Sequence, residues 1–182
     1  TCVVIYGNVD AQIRPSRTGR VFPHIPKRFQ GGGMLMPRPF YSRSWAKHAG
    51  QLIDNAGRKV VSALIKAVDG TEQWVSLESF DKQYGQLLDR LCDMGVKPIA
   101  CSCVYIDGRL FPGTPAEYLA FNESIHSNAE RCRIPYVDLW SMFETEVKSN
   151  GWDNAYNKDH FHPNGLGYKL MAKVIAGALR DE

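Results

Sequence analysis

The chain predicts an α/β fold in which a parallel sheet is covered by helices on both faces. Three observations carry that expectation. Its strand-like runs, Cys2 to Tyr6, Ile99 to Ile106 and Ile134 to Leu139, are near-continuously apolar, as strands buried on both sides must be. Between them lie segments whose apolar residues recur at threes and fours, the period of a helix. Strand and helix signals also alternate along the chain, the order that βαβ units produce.

Taken in order, the first strand ends at Gly7. The stretch after it is broken by Pro15, Pro23, Pro26, Pro37, Pro39 and the Gly31-Gly32-Gly33 triplet, which leaves no room for a long regular element. We expect a single domain over residues 1–182, with residues 11–43 as a basic, Pro/Gly-rich excursion from it. Helical periodicity starts at Ser44 and runs through Trp45, Ala49, Leu52, Ile53, Ala56, Val60, Leu64 and Ala67 to the stop at Asp69-Gly70. A second helix is predicted from Leu77 to Met94, with Phe80, Tyr84, Leu87, Leu88, Leu91 and Cys92 on one stripe. Gly95 closes it and Lys97-Pro98 leads into the next strand. Thr114-Pro115-Ala116-Glu117 reads as a capping box with proline at the first helical position. After the strand at 134–139, Trp140 to Val147 reads as a short helical turn. The last helix follows Pro163-Asn164-Gly165 and is expected to bury Leu170, Met171, Val174, Ile175, Ala178 and Leu179.

Three strands are few for such a sheet, and the chain opens without methionine inside a strand-like run. Both features predict that it is N-terminally truncated, the downstream piece of a longer protein. Composition excludes a disordered chain, with 44% hydrophobic and 23% charged residues. No apolar run approaches the ~20 residues that span a bilayer, so a membrane partner is not expected. Cys2, Cys92, Cys101, Cys103 and Cys132 form no CxxC pair and read as small core residues, which favours a reducing, cytoplasmic compartment without establishing one. The net charge of +3 hides an asymmetry. Residues 11–47 contain Arg14, Arg17, Arg20, Lys27, Arg28, Arg38, Arg43 and Lys47 and no acidic residue. Phe22, Phe29, Phe40, Tyr41 and Trp45 are interleaved with them, a pattern suited to an anionic polymer such as an acidic glycan or single-stranded nucleic acid. A solvated loop would look the same.

The chemistry concentrates at Asp159-His160-Phe161-His162-Pro163-Asn164. An imidazole acts as a general base when one ring nitrogen faces the reacting proton and the other donates to a carboxylate that fixes its tautomer. A carboxylate three residues upstream in a turn can fold back onto the ring, and Pro163 then stiffens the chain before the helix. Two other readings stay open: Asp159 as a helix N-cap beside a structural histidine, and His160 with His162 as an H-x-H metal pair, for which no third ligand is recognisable.

This closing block, with Gly167-Tyr168 and Met171-Ala172 behind it, resembles the D-x-x-H-P-N-x-x-G pattern of the SGNH (GDSL-type) hydrolases. Phe121-Asn122 and Pro135-Tyr136-Val137-Asp138 are similar to that family's penultimate helix and last strand. Val3-Val4-Ile5-Tyr6-Gly7-Asn8-Val9-Asp10 sits where the family has a strand and a G-x-N-D turn, but Val9 stands at the asparagine position and Asn8 lies one residue early. With Arg14, the same run is similar to the G-E-I-D-x-R variant of glycan-modifying branches. A plain strand-end turn, with Asp10 paired to Arg14, is the other reading of these residues.

The resemblance implies a three-layer α/β/α flavodoxin-like sandwich and a serine ester hydrolase with no metal or organic cofactor. It implies His162 and Asp159 as the catalytic pair, Gly7 and Asn8 at the oxyanion, and Asp10, Arg14, His160 and Asn164 around the substrate. The expected substrate is a small-molecule or glycan ester carrying an O-acyl, for instance acetyl, group. No G-D-S and no G-x-S-x-G occurs, so the resemblance places the nucleophilic serine upstream of Thr1. The competing expectation is a non-catalytic module of the same fold that binds an anionic polymer through residues 11–47.

Overall fold

The computed structural model describes residues 1–30 and 44–180. Gly31, Gly32, Gly33, Pro37, Arg38, Pro39, Phe40, Tyr41 and Arg43, on which much of the expected basic excursion rests, lie outside the described residues. In chain order the elements are β1 (Cys2–Ile5), β2 (Arg14–Pro15), a 3-10 turn (Phe22–His24), α1 (Lys27–Gln30), α2 (Trp45–Asp69) and β3 (Thr71–Glu72). There follow α3 (Leu77–Asp93), β4 (Pro98–Cys101), α4 (Thr114–Cys132), β5 (Tyr136–Val137), α5 (Leu139–Asn150), α6 (Trp152–Ala155) and α7 (Gly165–Ala178). They group into two compact units, one of Thr1–Gln12 with Trp74–Glu182 and one of Ile13–Gln73.

The first unit holds a parallel sheet in the order β1-β4-β5, with Val3 opposite Ile99 and Cys101 opposite Val137. Alternation along β4 sends Ile99 and Cys101 into a core with Val137, Leu139, Phe143, Tyr156 and Met171. Against β4 also pack α3 and α4, which lie along each other, Phe80 of one meeting Phe121 of the other at 4.6 Å. The result is an α/β fold, a small parallel sheet with surrounding helices.

Strands β4 and β5 are shorter than their apolar runs, and the cause is local. After Ser102 N donates to the Val137 carbonyl at 3.0 Å the ladder of β4 stops, because the two backbone N–H groups that follow donate to side-chain amides, Cys103 N to Asn122 Oδ1 at 2.7 Å and Val104 N to Asn8 Oδ1 at 2.9 Å. After β5, Asp138 accepts from Ser141 N at 2.9 Å and caps α5, so the expected short turn is a full helix of 12 residues. The helix of the predicted capping box is counted from Thr114, with Gly113 before it at φ +86°. Cys101 and Cys103 are buried as expected, while Cys92 is exposed. Along α7, Met171 is buried and Leu170, Ile175 and Ala178 are partly so, but Val174 and Leu179 face outward. Val3 and Ile5 share one face of the edge strand β1 and are exposed, as is Tyr6 just after it, while Val4 on the opposite face is buried.

In the second unit β2 and β3 pair antiparallel. Its core is small, Ile25, Phe29 and Ile65, with Val21, Phe22 and Val61 around it. Helix α2 has the expected period, yet it buries Asn55, Arg58 and Ile65 and leaves Leu52, Ile53, Val60 and Leu64 exposed. The apolar stripe is thus not the face that packs against this core. Phe29 is buried, with the Arg28 and Arg58 guanidinium groups over its ring, so it is not a platform for a polymer.

Helix α7 starts hard against the end of α6. A Cβ at Gly167 would lie 2.2 Å from the Ala155 carbonyl oxygen and 2.9 Å from the Pro163 Cβ, whereas one at Gly165 would meet nothing within 4 Å. The obstacle at 167 is backbone and cannot rotate away. Gly167→Ala is therefore expected to cost about 3 kcal/mol of stability and Gly165→Ala less than about 0.5. Equal denaturant midpoints for the two variants would show that α7 does not sit as described.

Candidate active site

The turn between α6 and α7 is closed by its own ends. Tyr156 and Pro163 form an antiparallel bridge, Asn157 N donates to the His162 carbonyl at 2.9 Å, and Asn164 N donates to the Ala155 carbonyl at 2.9 Å. Asn164 caps α7: its Oδ1 accepts from Leu166 N and Gly167 N, and its Nδ2 donates to the carbonyls of Asp153, Asn154 and Tyr156. Its carboxamide is committed to the backbone, in place of the substrate contact expected for it. Because Asn164 is the cap, the reading of Asp159 as the helix N-cap does not hold.

Inside this closed turn, Asp159 Oδ1 accepts from the N–H groups of Phe161 and His162, both at 3.1 Å, while Oδ2 lies 2.6 Å from His162 Nδ1. Burial opposes ionisation of Asp159, but the His162 ring and the two backbone donors outweigh it and bring the carboxyl below its usual range. An ionised carboxylate only accepts, so Nδ1 carries the proton and Nε2 is left as the basic nitrogen. The exposures divide the labour: the Asp159 side chain is 7% exposed and the His162 side chain 61%. Among the described residues, no hydrogen bond reaches Nε2.

His160, expected beside the substrate, is held elsewhere. Its Nδ1 lies 2.7 Å from Asp107 Oδ2, and its ring stacks on Trp152 at 4.8 Å. The two histidines of the H-x-H run therefore serve different carboxylates. Among the described residues, no group of three or more His, Cys, Asp or Glu side chains is placed to hold a metal ion. Asp107 was not visible as a functional residue in the sequence: its partner is 53 positions away, and only the local Asp107-Gly108-Arg109 turn marks it.

Just after β1, Gly7 has φ +102°, and a Cβ there would stand 3.0 Å from Cys103 Sγ and 3.4 Å from the Phe80 ring. Glycine is required on both counts. Asn8 accepts from Val104 N through Oδ1, so only its Nδ2 remains as a donor toward an oxyanion. Its carbonyl accepts from the buried Tyr118 hydroxyl. Asp10 lines a cavity of about 210 Å³ with Tyr6, Phe80 and Tyr84. No hydrogen bond joins Gly7, Asn8 or Asp10 to Asp159 or His162. Arg14 belongs to the second unit, where it is buried on β2.

Asp107 titrates low for a definable reason. Burial pushes its carboxyl up, but hydrogen bonds from Arg109 and His160 outweigh it and hold the group at about 2, against an ordinary 3.8. With the folded value depressed, the unfolded chain binds more protons between these two values. The stabilisation, roughly 2 kcal/mol, is complete above pH 4 and is lost as pH falls toward 2. Asp107→Asn is expected to flatten that part of the stability–pH curve. An unchanged slope in the variant would place the acid sensitivity elsewhere.

Comparison with known proteins agrees with this architecture. The family model described as GDSL-like Lipase/Acylhydrolase matches residues 59–175. A GDSL-like lipase from Parabacteroides merdae is 19% identical, with a TM-score of 0.50 over 57% of this chain and 50% of its own. An alpha/beta hydrolase enzyme from the metagenome of Lake Arreo, Spain, is 22% identical, with a TM-score of 0.51 over 57% of this chain and 47% of its own. At these identities the likeness is one of fold, and the chain spans about half the length of these structures. No curated protein matches it. Carrying the α/β fold and a family match over most of its length, the chain belongs to the GDSL-like lipase/acylhydrolase family.

Proposed function

We propose that this chain supplies the histidine and acid of a serine ester hydrolase that removes an O-acyl group, acetyl for instance, from a glycan or similar ester. The observation that carries the reading is the 2.6 Å contact between His162 Nδ1 and a buried Asp159 carboxylate, with Nε2 on the exposed side of the ring. A serine outside these 182 residues would hydrogen-bond to Nε2. As its Oγ attacks the ester carbonyl, the hydroxyl proton passes to Nε2, and Asp159 stabilises the imidazolium that forms. The tetrahedral intermediate collapses by expelling the alcohol, which takes the proton back from Nε2. Water then repeats the cycle on the acyl-enzyme and regenerates the serine.

The Gly7 N–H and Asn8 Nδ2 are the candidate donors to the oxyanion, each typically worth ~3 kcal/mol in such a role. No metal or organic cofactor is needed for this chemistry. The glycan preference rests on the basic, aromatic composition of residues 11–47 and on the Gly7-Asn8-Val9-Asp10 run with Arg14.

Hydrolysis of p-nitrophenyl acetate by the full-length gene product tests the reading. His162→Ala is expected to lower kcat/KM by about 10³-fold or more, and Asp159→Asn by about 10²–10⁴-fold. Hydrolysis that survives His162→Ala would refute the proposal. A full-length product without esterase activity that binds an acidic polymer in a salt-sensitive way would favour the non-catalytic module instead.

A further inference from the structure

We infer that Asp107 is a positioning residue for the Asp159–His162 pair, acting through His160. The inference rests on the catalytic reading of that pair. The hydrogen bonds of residues 157–163 are local, confined among the described residues to the turn itself, with one exception, His160 Nδ1 to Asp107 Oδ2 at 2.7 Å. The neighbouring side chain, Phe161, meets Phe111 with ring centroids 5.6 Å apart. Asp107 and Phe111 belong to one loop, between β4 and α4, where Phe111 N donates to the Asp107 carbonyl at 2.9 Å. Both residues that separate Asp159 from His162 are thus tied to the same loop. With the two spacers held there, the carboxylate and imidazole that flank them in sequence are kept within hydrogen-bond reach, 2.6 Å apart.

The anchor is built to hold. Asp107 has a side chain only 4% exposed, and Arg109 grips it with Nε at 2.9 Å from Oδ1 and Nη2 at 2.7 Å from Oδ2. What it holds is an uncommon conformation, since His160 has φ +50°, in the left-handed region that among residues other than glycine is visited mainly by asparagine, aspartate and histidine. The His160 ring, stacked on Trp152 and 20% exposed, is occupied by this task, whereas the His162 ring meets only the edge-on Phe161 ring at 4.7 Å among the described residues and its side chain stays 61% exposed.

Asparagine offers a clean test at 160, because it tolerates the left-handed region and its Nδ2 branches from Cγ as the imidazole Nδ1 does. Glycine tolerates the backbone equally and offers no donor. The readout is the Hδ1 proton signal of His162 in ¹⁵N-histidine NMR spectra of this chain. It needs no serine and no hydrolysis, so it separates this inference from the esterase reading. Asp107→Ala and His160→Gly are expected to reduce that signal at least about fivefold as the turn leaves the paired state, with the fold intact by circular dichroism. His160→Asn is expected to retain most of it. Should Asp107→Ala fail to fold, the contrast between His160→Gly and His160→Asn decides. A full signal in folded His160→Gly, or equal losses in the glycine and asparagine variants, would overturn the inference.

Discussion

The contact between an ionised Asp159 and the Nδ1–H of His162 is the constraint around which the carboxyl-terminal third of the chain is arranged. Three residues in a turn do not bring a carboxylate and an imidazole together unaided. Here the turn is pinned at its ends by the Tyr156–Pro163 bridge, at its exit by the Asn164 cap, and beneath by the side-chain-free Gly167 that lets α7 close on α6. Each device removes conformational freedom that the pair would otherwise have to overcome on its own.

Electrostatics then separates two histidines that are neighbours in sequence. His160 and His162 each meet one carboxylate through Nδ1, at 2.7 and 2.6 Å. The first pair is braced by Arg109 and stacked on an indole, the pattern of a fastener. The second has a buried acid and an open ring, the pattern of a base presented to solvent. Burial, rather than the identity of the partner, distinguishes the two.

Much of this was legible in the sequence because it is written in short-range patterns. The D-x-x-H spacing, the helical periods of α3 and α7, and the apolar runs around β4 and β5 all depend on residues close together in the chain. The features that were not legible depend on distant partners. Asp107 becomes meaningful only when folding brings it to His160, and Asn8 and Asn122 end β4 from opposite sides of the sequence. Asn164 looked like a substrate contact because asparagine beside a histidine is equally good chemistry for a cap. The stripe on α2 has the right period and an outward direction, since period alone does not say which face meets a core. Burial of Phe29 likewise removes one of the aromatic residues on which polymer binding by the basic segment was to rest.

The account stands most directly on the tautomer of His162. Ring-nitrogen ¹⁵N shifts of this residue, recorded above the pH at which the imidazole loses its charge, report which nitrogen holds the proton. The geometry predicts protonated Nδ1 and bare Nε2, the state a general base requires. A proton found on Nε2, the form an unconstrained histidine prefers, would contradict the pairing with Asp159 and with it the catalytic reading of this turn.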